Sequence, residues 1–365
     1  MSWEYIYLTV WGAAFLASLL LTARFRRWGM RIGFLDHPHQ EQHKRHRRAV
    51  PKLGGPAVFL SWLTVVGGGL LVVWIGRHWP FFAEAMEHWS GLRATLGRLT
   101  MVAAGGAAML LLGLLDDRRP LRPAVKLLAQ ALICGLVAAF GVQVTVFIPY
   151  PPINWALTLV WMLVVVNAIN IFDNMDGMAG GCAFTAFLLF FLIASLQGQY
   201  FVALLSGTLG GAMLGFLIFN WPPARIFLGD SGSHFVGYML AVTGALVTYY
   251  SPVRGGTPAS ILIPLLVLAL PLFDLGAVIL LRLRQGVPIY QADNQHLSHR
   301  FVMLGLSGKG AAWVVNLLGL AIGAGAVPLL WLPGRLAVVV FLQAVAMLAL
   351  VSILHTVKVP SRGEL

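Results

Sequence analysis

Charged residues are scarce in this chain of 365 residues, where they make up 10% of the sequence against 59% hydrophobic residues. A soluble domain usually carries about 25% charged and about 45–50% apolar residues. The composition therefore argues against a soluble globular protein. Several apolar runs reach the roughly 20 residues needed to cross a bilayer. We predict a polytopic, all-α integral membrane protein.

Cysteine is also nearly absent. The two cysteines, Cys134 and Cys182, lie in or beside apolar segments. Their spacing is not that of metal ligands or of a redox pair. We interpret both as packing residues, which leaves oxygen and imidazole groups as the source of any chemistry.

The apolar runs predict about eleven membrane helices. They cover residues 5–23, 53–75, 97–115, 124–140, 153–171, 178–196, 199–219, 233–250, 259–281, 310–332 and 335–355. The first run has no small-residue cleavage site and is followed by a basic loop. We therefore expect it to be a retained span and not a signal peptide.

The basic residues predict the orientation in the membrane. With eleven spans the termini lie on opposite sides, and the loops after odd-numbered spans share one face. That face carries 20 of the 25 Lys and Arg, nine of them within residues 24–52. The positive-inside rule makes this face cytoplasmic. We expect an external N-terminus and a cytoplasmic C-terminus.

The aspartates fall on the same face. Seven of the eight lie in or beside the predicted cytoplasmic loops: Asp36, Asp116, Asp117, Asp173, Asp176, Asp230 and Asp293. The eighth, Asp274, lies in the inner part of the ninth span, where it either pairs with a neighbouring helix or faces the site. Because an unpaired charge near hydrocarbon is costly, we predict a single cytosolic acidic site built from four or five loops.

Asp116 and Asp117 form an adjacent pair at the end of the third span. Two adjacent carboxylates ionise together only with difficulty unless a cation is close. The pattern fits a helix end that pairs with Arg118 and Arg119. It fits a metal or general-base site equally well.

Residues 167–181 carry a second set of polar groups between two apolar runs. Asp173 and Asp176 are three residues apart and share one side of a helical turn. Asn167 and Asn170 lie one and two turns back, and Gly177 allows the backbone to approach a ligand closely. A polar turn with a capping aspartate is the alternative, but it would not require both asparagines. The pattern favours a functional site.

A Gly/Ser loop with one acid, 229–233, opens the eighth span after Asn220 and Phe227. The free N–H groups of a helix N-terminus suit phosphate, and Asp230 suits Mg²⁺, which prefers oxygen ligands. The alternative is a helix whose N-cap is Asp230, Ser231 or Ser233.

Two basic segments complete the set. His296, His299 and Arg300 lie in the last long cytoplasmic loop and fit either phosphate binding or a solvated basic loop. Zinc is disfavoured because no cysteine accompanies them. Attraction to anionic lipid explains the charge of residues 43–48, including Lys44, but does not account for His46.

The order and spacing of these motifs resemble those of the polyprenyl-phosphate N-acetylhexosamine-1-phosphate transferases. The resemblance runs from Asp36, through Lys44, His46 and the Gly pair at 54–55, to Arg300. It implies ten or eleven membrane helices with a cytosolic active-site cleft formed by the inner loops. It also implies transfer of a sugar-1-phosphate from a UDP-sugar to polyprenyl phosphate with release of UMP, dependent on Mg²⁺ or alternatively Mn²⁺.

The resemblance implies further properties of the whole chain. Residues 1–365 would form a single transmembrane catalytic domain in the cell membrane. The expected partners are the UDP-sugar donor, the polyprenyl phosphate acceptor and membrane lipids, with no nucleic acid. The oligomeric state is left open, a homodimer being one option.

The resemblance also implies roles for individual residues. The expected catalytic residues are Asp116, Asp117, Asp173, Asp176, His296, His299 and Arg300. The expected substrate-binding residues are Lys44, His46, Lys126, Asn167, Asn170, Asn220 and Phe227. Asp230 would bind the metal ion together with Asp117, and Lys126 would be the counter-charge for the lipid phosphate. Asp176, Asn220 and Phe227 would contact the nucleoside, with Asp173 near the diphosphate.

Two residues depart from the family's pattern. Asn174 stands where the family usually has Gly, and Ser298 stands where it usually has the middle histidine of a His-x-His-His run. Asparagine tolerates left-handed backbone better than most residues, so the turn after Asp173 can survive. The spacing from Asp36 to His46 is also about two residues longer than usual.

The favoured donor is UDP-N-acetylglucosamine, because the muramoyl-pentapeptide branch usually carries a triple-histidine run that this chain lacks. That branch, phospho-N-acetylmuramoyl-pentapeptide transferase, is the alternative. For the reaction we expect direct attack of the lipid phosphate on the β-phosphorus, with a two-step route through an aspartyl-phosphate as the alternative.

Two alternatives of other kinds stay open. One is a secondary transporter, whose intramembrane acids bind ions near the bilayer midplane. The other is a catalytically inactive relative that binds lipid or nucleotide. The position of the acids at helix ends on one face disfavours a transporter, and the intact acids disfavour an inactive relative.

Overall fold

The computed structural model describes residues 3–37, 49–76, 78–79, 89–144, 150–247, 258–288 and 296–353. The long helices are α1 (Trp3–Ile32), α2 (Gly54–Gly76), α3 (Trp89–Arg118), α4 (Pro123–Ala139), α5 (Pro151–Phe172), α6 (Met178–Leu196), α7 (Tyr200–Asn220) and α8 (Gly229–Leu246). The later elements are a 3₁₀ helix (Pro258–Leu262), α9 (Ile263–Val267), α10 (Ala269–Gln285), α11 (Leu297–Met303), α12 (Gly308–Ala324), a second 3₁₀ helix (Val327–Leu330) and α13 (Gly334–Ile353).

Helix α8 forms the centre of the molecule. All of its residues from Ser231 to Ala245 are buried, and it packs against α2, α3, α5 and α6. Its large side chains, among them Phe235 and Tyr238, are fully buried. Tyr238 donates a hydrogen bond from its hydroxyl to the carbonyl of Val102 on α3, at 3.1 Å. The polar N-terminus of α8 is therefore held in the middle of the bundle.

A short antiparallel ribbon closes the loop between α1 and α2. Strand β1 (Leu35–Asp36) pairs with β2 (Val50–Pro51), and Asp36 lies opposite Val50. This pairing brings Asp36 next to the residues that precede α2. Lys44, His46 and Asp293 lie outside the described residues, so the substrate-binding roles expected of Lys44 and His46 stay predictions.

The protein is an all-α polytopic membrane protein, as predicted, but the count of eleven spans is not confirmed. In the described part of the chain, eight helices are long and apolar enough to cross a membrane, or nine if one bent pair counts as a span. Two predicted spans fall short of this test. Helix α4 has 17 residues, or about 25 Å at 1.5 Å per residue, and α8 carries Asp230 in its first turn.

The predicted ninth span, 259–281, is not one straight helix. It consists of two segments, Ala259–Val267 and Ala269–Gln285, that meet at an angle of 72°. The break lies just before Pro271. Proline has no N–H to bond to the carbonyl four residues earlier and its ring crowds that carbonyl. The bend directs Asp274 of α10 towards α11, as its contacts show.

Candidate active site

Four helix ends meet around the ammonium of Lys126. Its Nζ lies 2.7 Å from Asp116 Oδ2 and 3.5 Å from Asp230 Oδ1, and it donates to Asn170 Oδ1 at 3.2 Å. We call these four residues the lysine cluster. They come from α3, α4, α5 and α8, so the cluster joins elements that are far apart in the sequence.

Asp116 is tied down at both carboxylate oxygens. Besides its ion pair with Lys126, its Oδ1 accepts a hydrogen bond from the backbone N–H of Leu121 at 2.8 Å. Asp116 is only 8% exposed. A buried carboxylate needs a counter-charge and hydrogen bonds, and here it has both.

Asp117 caps helix α8. Its Oδ1 accepts from the N–H of Asp230 at 3.1 Å, and its Oδ2 accepts from the N–H of Ser231 at 3.0 Å. A negative charge at a helix N-terminus is favoured by the free N–H groups and the helix dipole. The N-cap expected within residues 230–233 is thus supplied by another helix, and Asp117 fixes the place from which Asp230 projects.

Two glycines make this close approach feasible. A Cβ at Gly113, one turn before Asp117, would lie 2.3 Å from the carbonyl oxygen of Asp230. Gly229 has φ +73°, and a Cβ there would lie 2.8 Å from Asp117 Oδ2. Only glycine avoids both the clash and the strain of left-handed backbone. Gly229, the first glycine of the 229–233 motif, therefore allows Asp117 to approach the backbone of Asp230.

The two asparagines of α5 organise neighbouring groups. Asn170 donates through Nδ2 to Asp230 Oδ1 at 2.6 Å and to Ser233 Oγ at 2.8 Å. Asn167 donates to Gln130 Oε1 at 2.8 Å. Asn170 therefore belongs directly to the lysine cluster, whereas Asn167 joins α5 to α4 one turn further from it. The direct substrate contact expected of each stays a prediction.

Residues 173–177, which we call the aspartate loop, connect α5 to α6 and are tied to the segment between α7 and α8. Asp176 Oδ2 accepts from the N–H of Ala224 at 2.8 Å. Asn220, only 3% exposed, accepts from the N–H of Gly177 at 3.1 Å and donates to the carbonyl of Ile226 at 3.0 Å. These contacts give Asp176 and Asn220 a positioning geometry, and their nucleoside contacts stay predictions.

Phe227 is held through its backbone and keeps a half-buried ring. Its N–H donates to the carbonyl of Pro51 at 2.8 Å, and its carbonyl accepts from the N–H of Gly54 at 3.0 Å. The ring is therefore placed at the junction of the first loop and the α7–α8 segment. Stacking of this ring on a nucleoside is compatible with the geometry and stays a prediction.

Asp173 lies in an excess of negative charge. Burial, together with the charges of Asp230, Asp117 and Asp176, raises the pKa of the Asp173 carboxyl to about 8. A carboxyl among three others prefers to keep its proton unless a cation approaches. The aspartate loop thus offers a place where positive charge is favoured.

Lys52 is a cation of the site that the sequence argument did not single out. Its Nζ lies 3.1 Å from Asp36 Oδ1. Burial lowers the pKa of its ammonium, but the charges of Asp36, Asp117 and Asp230 outweigh burial, and the pKa lies above its ordinary value. The sequence feature that could have identified Lys52 was its position between Pro51 and the Gly pair at 54–55.

The histidine segment has its own support. His296 lies 2.9 Å from Asp274 Oδ2, and the N–H of Leu297 donates to Asp274 Oδ1 at 3.0 Å. Because a carboxylate only accepts, His296 Nδ1 carries the proton. Asp274, 1% exposed, therefore pairs with the histidine segment and holds the start of α11, which we call the histidine helix. The rings of His296 and His299 are 6.2 Å apart.

His234 is another residue of the site that the sequence argument did not single out. It follows Asp230 by one turn on α8, its ring Nδ1 contacts the carbonyl of Asp230, and its side chain is fully buried. Its spacing of four residues from Asp230 was the only signal, and the apolar residues that follow obscured it.

The donor groups fit a hard divalent cation. Asp230 has a side chain that is 35% exposed, and the Asp173 carboxyl lies within the influence of three other acids. Within the described ranges, no group of three or more His, Cys, Asp or Glu side chains is arranged to hold a metal ion. Mg²⁺ is commonly bound by one or two carboxylates together with substrate phosphates and water, so a site with few protein carboxylates is compatible with this ion.

The predicted metal role of Asp117 meets a competing contact. Both of its oxygens already accept a backbone N–H. A carboxylate has about four lone-pair sites, so metal binding by Asp117 stays a prediction alongside its capping role.

The structure brings most of the predicted site residues together. The lysine cluster, Asp117, Asp173 and Asp176 are linked by direct hydrogen bonds or mutual charge. Ser298 of the histidine helix contacts Asn174, so this helix lies beside the aspartate loop, while the roles expected of His296, His299 and Arg300 stay predictions. The residues missed by sequence reasoning are Lys52 and His234.

Comparison with known proteins identifies similar sequences. The family model described as glycosyl transferase family 4 matches residues 99–248. This range contains Asp116, Lys126, Asn170, Asp173 and Asp230. The matched range ends before the histidine helix.

Relatives match over much more of the chain. A Bacillus subtilis protein named probable undecaprenyl-phosphate N-acetylglucosaminyl 1-phosphate transferase is 30% identical and covers 91% of this chain and 90% of its own length. A decaprenyl-phosphate N-acetylglucosaminephosphotransferase of Mycobacterium tuberculosis is 29% identical, with 83% and 78% coverage. A phospho-N-acetylmuramoyl-pentapeptide-transferase of Bacillus cytotoxicus is 30% identical but covers only 65% of this chain and 74% of its own length.

Proposed function

Because the chain belongs to glycosyl transferase family 4, we propose that it transfers N-acetylglucosamine-1-phosphate from UDP-N-acetylglucosamine to a polyprenyl phosphate. The products are UMP and a lipid diphosphate sugar, which would start the synthesis of a cell-envelope glycan. The names of the Bacillus subtilis and Mycobacterium tuberculosis relatives support this choice of donor and acceptor. The muramoyl-pentapeptide relative matches less of the chain.

The observation that carries the proposal is the lysine cluster beside the aspartate loop. A phosphate monoester that attacks a diphosphate brings negative charges together, so the reaction needs a preorganised positive field. The Lys126 ammonium, within 2.7 Å of Asp116 and 3.5 Å of Asp230, supplies one part of that field. The carboxylates of Asp230 and Asp173 provide the place for a metal ion.

Mg²⁺, or alternatively Mn²⁺, would be held by Asp230 and Asp173, with Asp117 as a further candidate, and would screen the charge of the donor diphosphate. Lys126 would bind the lipid phosphate, and Arg300, His296 and His299 would bind the donor phosphates and sugar. Asp176 and Asn220 would position the α7–α8 segment, so that Phe227 meets the nucleoside.

In the reaction an oxygen of the lipid phosphate attacks the β-phosphorus of the donor. The bond from that phosphorus to the oxygen bridging the two phosphates breaks, and UMP leaves with its electron pair. When the lipid phosphate is protonated, Asp116 or Asp117 accepts the proton. UMP release without lipid acceptor, accompanied by a phosphorylated aspartate, would contradict this direct route in favour of two steps.

The proposal includes a place in the cell. The chain would act in the cell membrane as a single transmembrane catalytic domain, with the site and the C-terminus on the cytoplasmic side and the N-terminus outside. The exposed Arg24, Arg27 and Arg31 at the end of α1 nearest the site support this orientation under the positive-inside rule.

The test uses purified full-length protein with Mg²⁺, undecaprenyl phosphate and three donors: UDP-N-acetylglucosamine, UDP-N-acetylgalactosamine and UDP-N-acetylmuramoyl-pentapeptide. We expect UMP release with the first. The Asp230→Asn variant should lose about 100- to 1,000-fold in kcat, because a preorganised charge is removed. The control is Glu4→Gln, which removes a carboxylate at the opposite end of α1.

Three results would decide against the proposal. Turnover only with the muramoyl-pentapeptide donor would replace the donor assignment. No turnover with any donor would refute the transferase function, and so would equal rates for the wild-type protein and Asp230→Asn.

A further inference from the structure

The two residues that depart from the expected family pattern touch each other. Ser298, on the histidine helix, donates from Oγ to Asn174 Oδ1 in the aspartate loop, at 2.5 Å. The residues are 124 positions apart in the sequence. Two departures that looked independent in the sequence thus form a single contact in the structure.

Both partners of this hydrogen bond are fixed. Ser298 is 1% exposed, and a buried hydroxyl needs a partner because an unsatisfied one costs stability. The Asn174 amide is oriented by a second bond, from Nδ2 to the carbonyl of Ile171 at 3.1 Å. With the amide nitrogen used in this way, Asn174 Oδ1 is the group that faces Ser298.

The bond lies between two parts of the site. Asn174 follows Asp173, whose carboxyl lies in the excess negative charge of the aspartate loop. Ser298 is followed directly by His299 and Arg300. On its other side the histidine helix is held by Asp274, which contacts His296 and the N–H of Leu297. The helix therefore has one support from α10 and another from the aspartate loop.

We propose that Asn174 and Ser298 form a positioning pair that sets the separation between the aspartate loop and the histidine helix, and so aligns His299 and Arg300 with Asp173. Neither side chain of the pair needs to touch the substrate. The inference rests on the proposed function for its kinetic consequences, because Asp173 and the histidine helix are there assigned to the donor.

The two positions should therefore tolerate change only together. Replacing Ser298 by the larger histidine would crowd a buried site while Asn174 is present. Replacing Asn174 by glycine as well would remove the side chain that faces residue 298 and make room for the histidine. Glycine at 174 alone would leave the buried Ser298 hydroxyl without its acceptor.

The test is a double-mutant cycle on the full chain, with donor and acceptor kinetics measured separately through UMP release. We expect Ser298→Ala and Asn174→Ala each to lower kcat/KM for the UDP-sugar about 10-fold relative to wild type. The double variant should also lie about 10-fold below wild type, and not about 100-fold below it. The KM for the lipid acceptor should stay within about twofold. Ser298→Thr, which keeps the hydroxyl, should restore most of the rate.

A second cycle tests the size argument. Asn174→Gly combined with Ser298→His should be more active than Ser298→His alone.

The matched control is Ser206→Ala, which removes an equally buried hydroxyl that bonds to the carbonyl of Val202 within α7. It should leave both KM values unchanged.

Hydrogen exchange of the backbone amides gives a readout that does not depend on the reaction. Ser298→Ala should speed exchange at residues 297–303, whereas Ser206→Ala should not. If wild-type protein turns over no donor but exchange behaves as expected, the proposed function fails and the structural coupling stands. Additive losses in the first cycle, or equal effects on donor and acceptor KM, would overturn the positioning pair.

Discussion

The lysine cluster and the histidine helix meet at the aspartate loop, but they are held in place in different ways. The lysine cluster draws its side chains from four long helices, and each member has at least two polar contacts. The histidine helix has seven residues and is held at its start by side chains of Asp274 and Asn174. The lysine cluster thus depends on the packing of four long helices, whereas the short histidine helix depends on these polar side chains and on the packing of its buried Leu297.

Because of this difference, we expect substitutions in the two regions to have different effects. In the lysine cluster, loss of one residue removes a charge but leaves the surrounding backbone supported by helix packing. At the histidine helix, loss of one supporting side chain changes the position of several functional groups together. The predictions below test that contrast at three places.

Lys126→Met should have the largest effect of the three. It removes the charge assigned to the lipid phosphate and leaves the buried Asp116 without its ion-pair partner. We expect kcat/KM for polyprenyl phosphate to fall about 100-fold, with a smaller change for the donor, as measured by UMP release at varied acceptor concentration.

Lys126→Arg, which keeps the charge, should recover part of the lost activity. Lys309→Met, at an exposed position in the first turn of α12, is the matched control and should behave as wild type. An equal loss for donor and acceptor in Lys126→Met would count against the acceptor role of the lysine cluster.

Asp274→Asn should have an intermediate effect, exerted through the histidine helix. An amide oxygen can still accept one hydrogen bond, but the amide no longer stabilises the Nδ1–H form of His296 as a carboxylate does. We expect about a 10-fold loss in kcat/KM for the UDP-sugar, with the KM for the lipid acceptor within about twofold of wild type, measured by UMP release.

The split between donor and acceptor distinguishes positioning of the histidine helix from a general loss of structure. A variant that merely folds less well would lose rate with both substrates to the same extent. An Asp274→Asn protein with wild-type kcat/KM for the UDP-sugar would show that the histidine helix does not depend on this support.

The third effect is on stability and concerns Asp173. Because the pKa of its carboxyl is raised to about 8 in the folded protein against about 4 in an unfolded chain, the folded state holds a proton that the unfolded state loses. Stability in metal-free buffer should therefore fall as the pH rises from about 4 to about 8, and this contribution should level off above 8.

The measurement is the thermal unfolding midpoint of detergent-solubilised protein in the presence of EDTA, at pH values from 5 to 9. Asp173→Asn should show a flatter dependence across this range and a higher midpoint than wild type at pH 8. A variant whose midpoint falls as steeply as that of wild type would show that other groups cause the dependence.

Much of the site could be predicted from local patterns. Asp116, Asp173 and Asp230 are conspicuous in the sequence because an unpaired acid at the end of an apolar run is energetically unfavourable. Loop parity placed them on one face, and their order and spacing indicated the family. The predicted all-α membrane fold is confirmed, while the individual roles of these residues stay predictions.

Other features could not be predicted, because they depend on contacts across the fold. The count of eleven spans is not confirmed, because α4 is short and the predicted ninth span bends before Pro271. Lys52 and His234 were missed because a single lysine near a glycine pair and a buried histidine beside apolar residues give weak local signals. The capping of α8 by Asp117 requires knowledge that α3 and α8 are neighbours.

Hydrophobicity, charge bias and motif spacing alone determined that this chain is a helical membrane protein, and they predicted a shared acidic site. These properties are local or additive along the chain, so no coordinates are needed to derive them. The tertiary structure alone decided that Asn174 and Ser298 belong together, because a hydrogen bond between side chains 124 residues apart depends on how the helices pack.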